Sequence, residues 1–366
     1  MFTKRKILLW LLLVSGTIFL ILDVNKQIGK GKTKGITKKK EFSSLANTNT
    51  TCAILEKEGW LSEMENKHHK TKERIQRICQ DIKDRTGRNN ELPIINNRNF
   101  WVDRENNLTF CFQPKVGSST WKGLFFDLMS PKEKDRLQKL IASKQKKEVS
   151  HRDIGLYFKD NLIWHLNKDE KYNKHEHVNL MKQLNTLKVT FVRHPFDRLF
   201  SAYVHLHKLF LGELKTYKGK INKPLTESLQ SFKNNPSFPT FVDYVISEYE
   251  NYWNKTWPLF SESNHWISLE RKCWHCDISY DVIGKLETFS EDVAYIICKN
   301  KLDSILPLQR TLVKKNANNY KNQNISDYFS QLSNTQIQKL YNVYQIDFEL
   351  FNYDSTNYIY PFKPLK

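Results

Sequence analysis

The stretch Leu108–Leu128, LTFCFQPKVGSSTWKGLFFDL, decides how the chain is read. Leu108 to Phe112 is apolar and β-prone, the pattern of a buried strand. Pro114 lacks the N–H that a central strand needs, so the chain turns there. Gly117, Ser118, Ser119 and Thr120 follow with little side-chain bulk. Trp121, Leu124, Phe125 and Leu128 then recur at helical spacing. The unpaired N–H groups that open such a helix, together with its dipole, favour an anion in the loop. Lys115 adds a full positive charge at the strand end. The expected ligand is a phosphate or a phosphate-like group. A Walker loop does not fit, because Lys115 precedes the single Gly117 instead of following a second glycine. A plain strand–turn–helix connection with a surface lysine is the competing reading.

A second unit of the same kind runs through Leu187–Leu206, LKVTFVRHPFDRLFSAYVHL. Leu187 to Val192 is β-rich, Arg193 ends it and Pro195 breaks it. A helix over Asp197–Leu206 turns Leu199, Tyr203 and Leu206 inward. A third unit, Tyr280–Cys298, has a short strand YDVIG and a helix opening near Ser290. Repeated strand–loop–helix units predict an α/β fold: one domain with a central, mostly parallel sheet flanked by helices. Ligands in that architecture lie beyond the carboxyl ends of the strands. Lys115 and Arg193 both fall there. The arginine fork matches two phosphate oxygens, although an ion pair with Asp197 would also explain it. Ser201 can add a hydroxyl.

Around these units, residues 52–86 read as helix, 89–99 as a loop and 131–149 as a charged surface helix with a loop. Residues 212–238 read as a long polar loop, 241–252 as a helix and 326–351 as closing helices. Ile337, Leu340, Tyr341 and Tyr344 share a face of the last of these. The run Ile7–Leu22, ILLWLLLVSGTIFLIL, follows Lys4-Arg5-Lys6 and lacks a convincing cleavage site, so it reads as an uncleaved signal-anchor rather than a signal peptide. The expected order is a cytosolic tail (1–6), a membrane span (7–24), a polar stem (25–51) and a luminal domain (52–366). The lysines after the span weigh against this orientation; the features downstream favour it. Sequons stand at Asn49, Asn107, Asn254 and Asn324, and six cysteines suit an oxidising lumen. Six cysteines allow fifteen pairings, and sequence does not choose among them. Cys273-Trp-His-Cys276 has the spacing of half a zinc site, but no second pair follows, so no metal is expected. The formal net charge of +19 points to a polyanionic partner. Nucleic acid is disfavoured because no recognised module for it appears. The missing Walker pattern disfavours a nucleotide kinase.

PKVGSSTWK at 114–122 resembles the 5′-phosphosulfate-binding loop of Golgi carbohydrate sulfotransferases of the chondroitin/dermatan 4-O-sulfotransferase type. FVRHPFDRLFSAY at 191–203 resembles their 3′-phosphate-binding segment, and YDVIGKLETFSEDVAYI at 280–296 a further block. Asn264-His265-Trp266, the Cys273/Cys276 pair and the C-terminal YFSQLSNTQIQKLYNVYQIDFELFNY are similar too. The resemblance covers roughly residues 70 to 353 in the same order. His194 and Asp197 stand where that family usually carries Glu.

The resemblance implies transfer of a sulfuryl group from 3′-phosphoadenosine 5′-phosphosulfate (PAPS) to a glycan hydroxyl, with no metal. It implies that Pro114, Lys115, Val116, Gly117, Ser118, Ser119 and Thr120 hold the 5′ end of the donor. The segment Arg193, His194, Pro195, Phe196, Asp197, Arg198, Leu199, Phe200 and Ser201 would hold the 3′-phosphate. Lys115 is placed to offset charge on the leaving group. For the base, a histidine suits a proton transfer near neutrality; His165 is the first choice, His265 the second and His151 the third. The implied acceptor is an acidic glycan, at the 4-position of N-acetylgalactosamine in chondroitin or dermatan. The same sugar on N-glycans and the 3-position of terminal glucuronic acid stay open, as does a homodimer. The contrasting reading is a membrane-anchored polyanion-binding protein without turnover.

Overall fold

The computed structural model describes residues 51–86, 100–143, 174–208, 227–253, 261–311 and 324–359. The expected tail and span, the stem apart from Thr51, the loop 89–99, the sequons at Asn49 and Asn254, and both His151 and His165 lie outside them. Among the described residues no helix is long and apolar enough to cross a membrane. The described residues from Leu55 onward form one compact unit.

The described chain runs α1 (Cys52–Lys57), α2 (Trp60–Thr86), β1 (Phe100–Asp103), β2 (Leu108–Cys111), α3 (Ser118–Leu128) and α4 (Pro131–Ser143). It continues with α5 (Lys174–Gln183), β3 (Leu187–Val192), α6 (Pro195–Lys208), α7 (Glu227–Asn234), α8 (Phe238–Trp253) and α9 (Leu269–Cys273). β4 (Val282–Lys285), α10 (Phe289–Lys299), α11 (Ile325–Phe329), α12 (Asn334–Phe351) and α13 (Thr356–Ile359) complete it.

The sheet order is β1-β2-β3-β4. β2, β3 and β4 are parallel, with Cys111 opposite Thr190 and Val192 opposite Lys285. All four residues of β2 are buried, as in a strand covered on both faces. β1 pairs antiparallel with β2 and makes the sheet mixed. The sequence reading missed this strand: FWVD is four residues long and buried throughout, too short to show a period.

The three strand–loop–helix units form as expected, with β4 extending to Lys285 and α10 opening at Phe289. An aromatic layer fastens the first unit to the other two. The Phe110 ring lies 4.6 Å from Trp121, Trp121 5.2 Å from Phe191, and Phe191 5.0 Å from Phe289. Gly284 makes this packing fit, since a Cβ there would stand 2.5 Å from the Phe191 ring. A second core joins α6, α8, α11 and α12 through Phe196, Leu199, Phe241, Phe329 and Tyr344.

The expected loop 212–238 is corrected in part. Residues 227–234 are helix α7, because Phe232 is fully buried and packs 5.5 Å from Phe241. One apolar anchor overrides a polar composition.

Two disulfides tie distant segments together. Cys79 of α2 bonds Cys276, and Cys111 at the end of β2 bonds Cys273 at the end of α9. Cys273 and Cys276 are thus both consumed in cross-links, and there is no free cysteine among the described residues. Asn107, at the β1–β2 turn, and Asn324, capping α11, are both exposed.

Candidate active site

The parallel pairing of β2 and β3 brings the loops after their carboxyl ends side by side. Arg193 Nη1 donates to the Lys115 carbonyl at 3.4 Å. The Arg193 side chain thus reaches the backbone of the loop that carries Lys115.

The loop after β2 is built around unusual backbone. Lys115 has φ 69° and Gly117 φ 87°. A lysine in the left-handed region costs free energy and persists only where its surroundings enforce it. Val116 between them is buried and anchors the turn. At Gly117 a Cβ would lie 2.9 Å from the Phe289 ring, so close packing adds to the demand for glycine. Gly117 is also the N-cap of α3. No side chain caps this helix, and its first turn has no acidic residue. The first-turn N–H groups of Ser118, Ser119 and Thr120 are left for an anion, as helix geometry dictates.

The loop after β3 is ordered by side chains. The His194 N–H donates to Glu287 at 3.1 Å, and the His194 ring Nε2 donates to the Asp354 carbonyl at 2.9 Å. Asp197 accepts from the Tyr358 hydroxyl, and no Arg193–Asp197 ion pair forms among the described residues. Phe196, Leu199 and Phe200 are buried in the second core, so their side chains face packing rather than ligand. Pro195 starts α6 and is buried, and Ser201 is buried on the same helix.

Arg198 is buried, and it donates from Nε to the Pro114 carbonyl at 3.2 Å, from Nη1 to Ile267 at 2.6 Å and from Nη2 to Asn264 at 3.4 Å. Burial lowers its pKa. Its fork fastens the start of the first loop to the Asn264–Ile267 segment. Lys272, also buried, donates to the Asn264 carbonyl at 3.1 Å. Burial and the Arg198 charge hold its pKa well below the usual lysine range.

His265 ends the short 3₁₀ turn Ser261–His265 inside this clamped segment, and its ring stacks on His205 of α6 at 4.8 Å. The structure thus brings Lys115, Gly117, Arg193 and the clamped segment of His265 into one neighbourhood. Sequence reasoning gave no role to Glu287, Tyr353 or Tyr358. Glu287 was visible within the strand-end run Lys285-Leu-Glu-Thr, but nothing local marks its partners, Tyr353 and the His194 N–H. Among the described residues no group of three or more His, Cys, Asp or Glu gathers as metal ligands would.

The sulfotransferase family model matches residues 98–354, which contain both loops, Arg198, Glu287 and Tyr353. The chain belongs to the sulfotransferase family. This sulfotransferase-family chain is 27% identical over 276 residues to carbohydrate sulfotransferase 12 of Mus musculus, covering 72% of itself and 62% of that protein. It is 27% identical to carbohydrate sulfotransferase 11 of Rattus norvegicus, over 70% of itself and 68% of the relative. With carbohydrate sulfotransferase 10 of Xenopus laevis the match is 22% over 96% of this chain and 99% of that one. The matched region thus spans under two thirds of the first relative's length. No solved structure matches the chain significantly.

Proposed function

We propose that this protein transfers a sulfuryl group from PAPS to a hydroxyl of an acidic glycan, first among them the 4-position of N-acetylgalactosamine in chondroitin or dermatan chains. One observation carries the reading: Lys115 and Arg193 lie in the loops that follow adjacent parallel strands, with Arg193 reaching the Lys115 carbonyl at 3.4 Å. A nucleotide with phosphates on both its 3′ and 5′ positions needs two cationic grips, and Lys115 and Arg193 would be those grips. The names of the relatives support a carbohydrate as acceptor.

In this scheme PAPS supplies a sulfur with a good leaving group, the 5′-phosphate. The uncapped start of α3 and the left-handed loop hold that phosphate by backbone N–H groups, and the Lys115 ammonium offsets charge as the bridging bond breaks. Arg193 and Ser201 hold the 3′-phosphate. A histidine takes the acceptor hydroxyl proton as its oxygen bonds to sulfur. His165 is the first choice for that role and His265 the second, supported by the clamp on its segment. The net charge of +19 favours encounter with an anionic chain and makes encounter salt-sensitive. The proposed setting is the Golgi lumen, behind the apolar run Ile7–Leu22 as an uncleaved type II anchor.

The test is transfer of labelled sulfate from PAPS to a panel: chondroitin, dermatan, N-glycans ending in N-acetylgalactosamine and glycans ending in glucuronic acid. Disaccharide analysis of the product identifies the hydroxyl. Label on the 4-position of N-acetylgalactosamine is expected. PAPS binding without transfer to any member would favour a polyanion-binding protein instead.

A further inference from the structure

The segment Asn352–Tyr358, just after α12, folds back over the loop that follows β3. Five contacts fasten it. The Tyr353 hydroxyl donates to Glu287 Oε2 at 2.8 Å, while the other oxygen of that carboxylate accepts the His194 N–H at 3.1 Å. The His194 Nε2 lies 2.9 Å from the Asp354 carbonyl. A carbonyl only accepts, so this nitrogen carries the proton. The Tyr358 hydroxyl donates to Asp197. Lys285, at the end of β4, places its ammonium 4.0 Å over the Tyr353 ring and donates to the Asn352 carbonyl at 3.4 Å.

His194 is buried, and its ring lies between Tyr358 at 4.7 Å and Tyr353 at 5.3 Å. Both tyrosine hydroxyls are held strongly protonated, chiefly by burial, with the Arg193 charge opposing. The peptide that joins Arg193 to His194 is held from one side by Glu287. The ring that follows it is held from the other by the Asp354 carbonyl.

We infer that Glu287, His194 and Tyr353 are positioning residues for recognition of the 3′-phosphate: they clasp the C-terminal segment onto the β3 loop and so fix the aim of Arg193. This rests on the reading of the site as one for PAPS. An ionised carboxylate at position 194 could not donate to the Asp354 carbonyl, so the clasp depends on the histidine ring. Misaiming a fork by a fraction of an ångström weakens a two-oxygen contact while leaving the other end of the ligand alone.

Calorimetric titration of the full chain compares adenosine 3′,5′-bisphosphate with adenosine 5′-monophosphate. The wild type is expected to prefer the bisphosphate. His194→Phe keeps a ring and removes the donor, and Tyr353→Phe removes one hydroxyl. Each should shrink that preference about tenfold, the scale of one charge-assisted hydrogen bond. His194→Gln retains an N–H donor and should keep the preference within about threefold of wild type. Affinity for the monophosphate should be unchanged in all three.

An unchanged preference in both Phe variants overturns the inference, as does an equal loss for both nucleotides, which marks general damage to the fold. A wild type with no preference for the bisphosphate rejects the PAPS reading itself. Should His194→Phe fail to fold, Tyr353→Phe decides alone.

Discussion

The two loops that face each other at the sheet edge are held by opposite means. After β2 the chain relies on backbone: two left-handed residues, a glycine pressed on Phe289, and a helix start that no side chain caps. Its entry is tethered by Cys111–Cys273 and by the Arg198 fork. After β3 the backbone is ordinary and side chains do the holding, through Glu287, His194, Asp197 and their tyrosine partners. The difference follows from the ligand each loop is proposed to meet. A site that stabilises charge growing during a reaction gains from N–H groups fixed before it begins. A site that selects one nucleotide over another needs a well-aimed fork, which side chains can aim.

The sharpest way to break this contrast is Lys115→Ala. If the β2 loop serves the transition state, kcat should fall about 10²–10³-fold, well beyond the loss in PAPS affinity, with melting unchanged. A change confined to KM would place Lys115 among ground-state contacts instead. The tether comes next. Replacing Cys111 and Cys273 together by Ser should cost about 2–5 kcal/mol in denaturant unfolding. Retained stability would shift the burden to Arg198.

Arg193→Ala should act in the other column, raising KM for PAPS about ten- to a hundredfold with a smaller change in kcat. Gly117→Ala should cost about 1–3 kcal/mol from the positive φ alone, with activity falling further than stability. Equal tolerance of alanine at Gly117 and at an exposed helix position would refute the backbone account.

The smallest effect concerns pH. Asp347 of α12 accepts the Leu269 N–H at 2.7 Å and the Glu270 N–H at 3.0 Å, capping α9 and its disulfide. Burial raises its pKa to about 6, above the roughly 3.9 of an unfolded aspartate. The folded state therefore holds the proton more tightly. Its contribution is fully present below about pH 4 and is lost as pH rises through about 6. Asp347→Asn should flatten the melting temperature between those limits.

Much of this was legible in the sequence. The aromatic and β-branched runs before Pro114 and Pro195 fix where two parallel strands end, because each proline forbids another ladder bond. The two cations at those ends then follow from topology. What escaped was whatever depends on contacts between remote segments. FWVD is a strand only because β2 lies beside it. Phe232 makes a helix of a polar stretch by reaching the second core. Arg198 sits within a segment resembling a phosphate-binding run, yet its fork is directed at three carbonyls. No pattern along the chain separates such an arginine from Arg193 five positions earlier.

The Cys111–Cys273 bridge lies only a few residues before the strained Lys115 turn. A thiol reductant added to an assay would act on that scaffold rather than on the chemistry. Turnover that fades with dithiothreitol and returns on reoxidation would then report a slackened hinge, and preparations made in a reducing cytosol would understate the proposed activity.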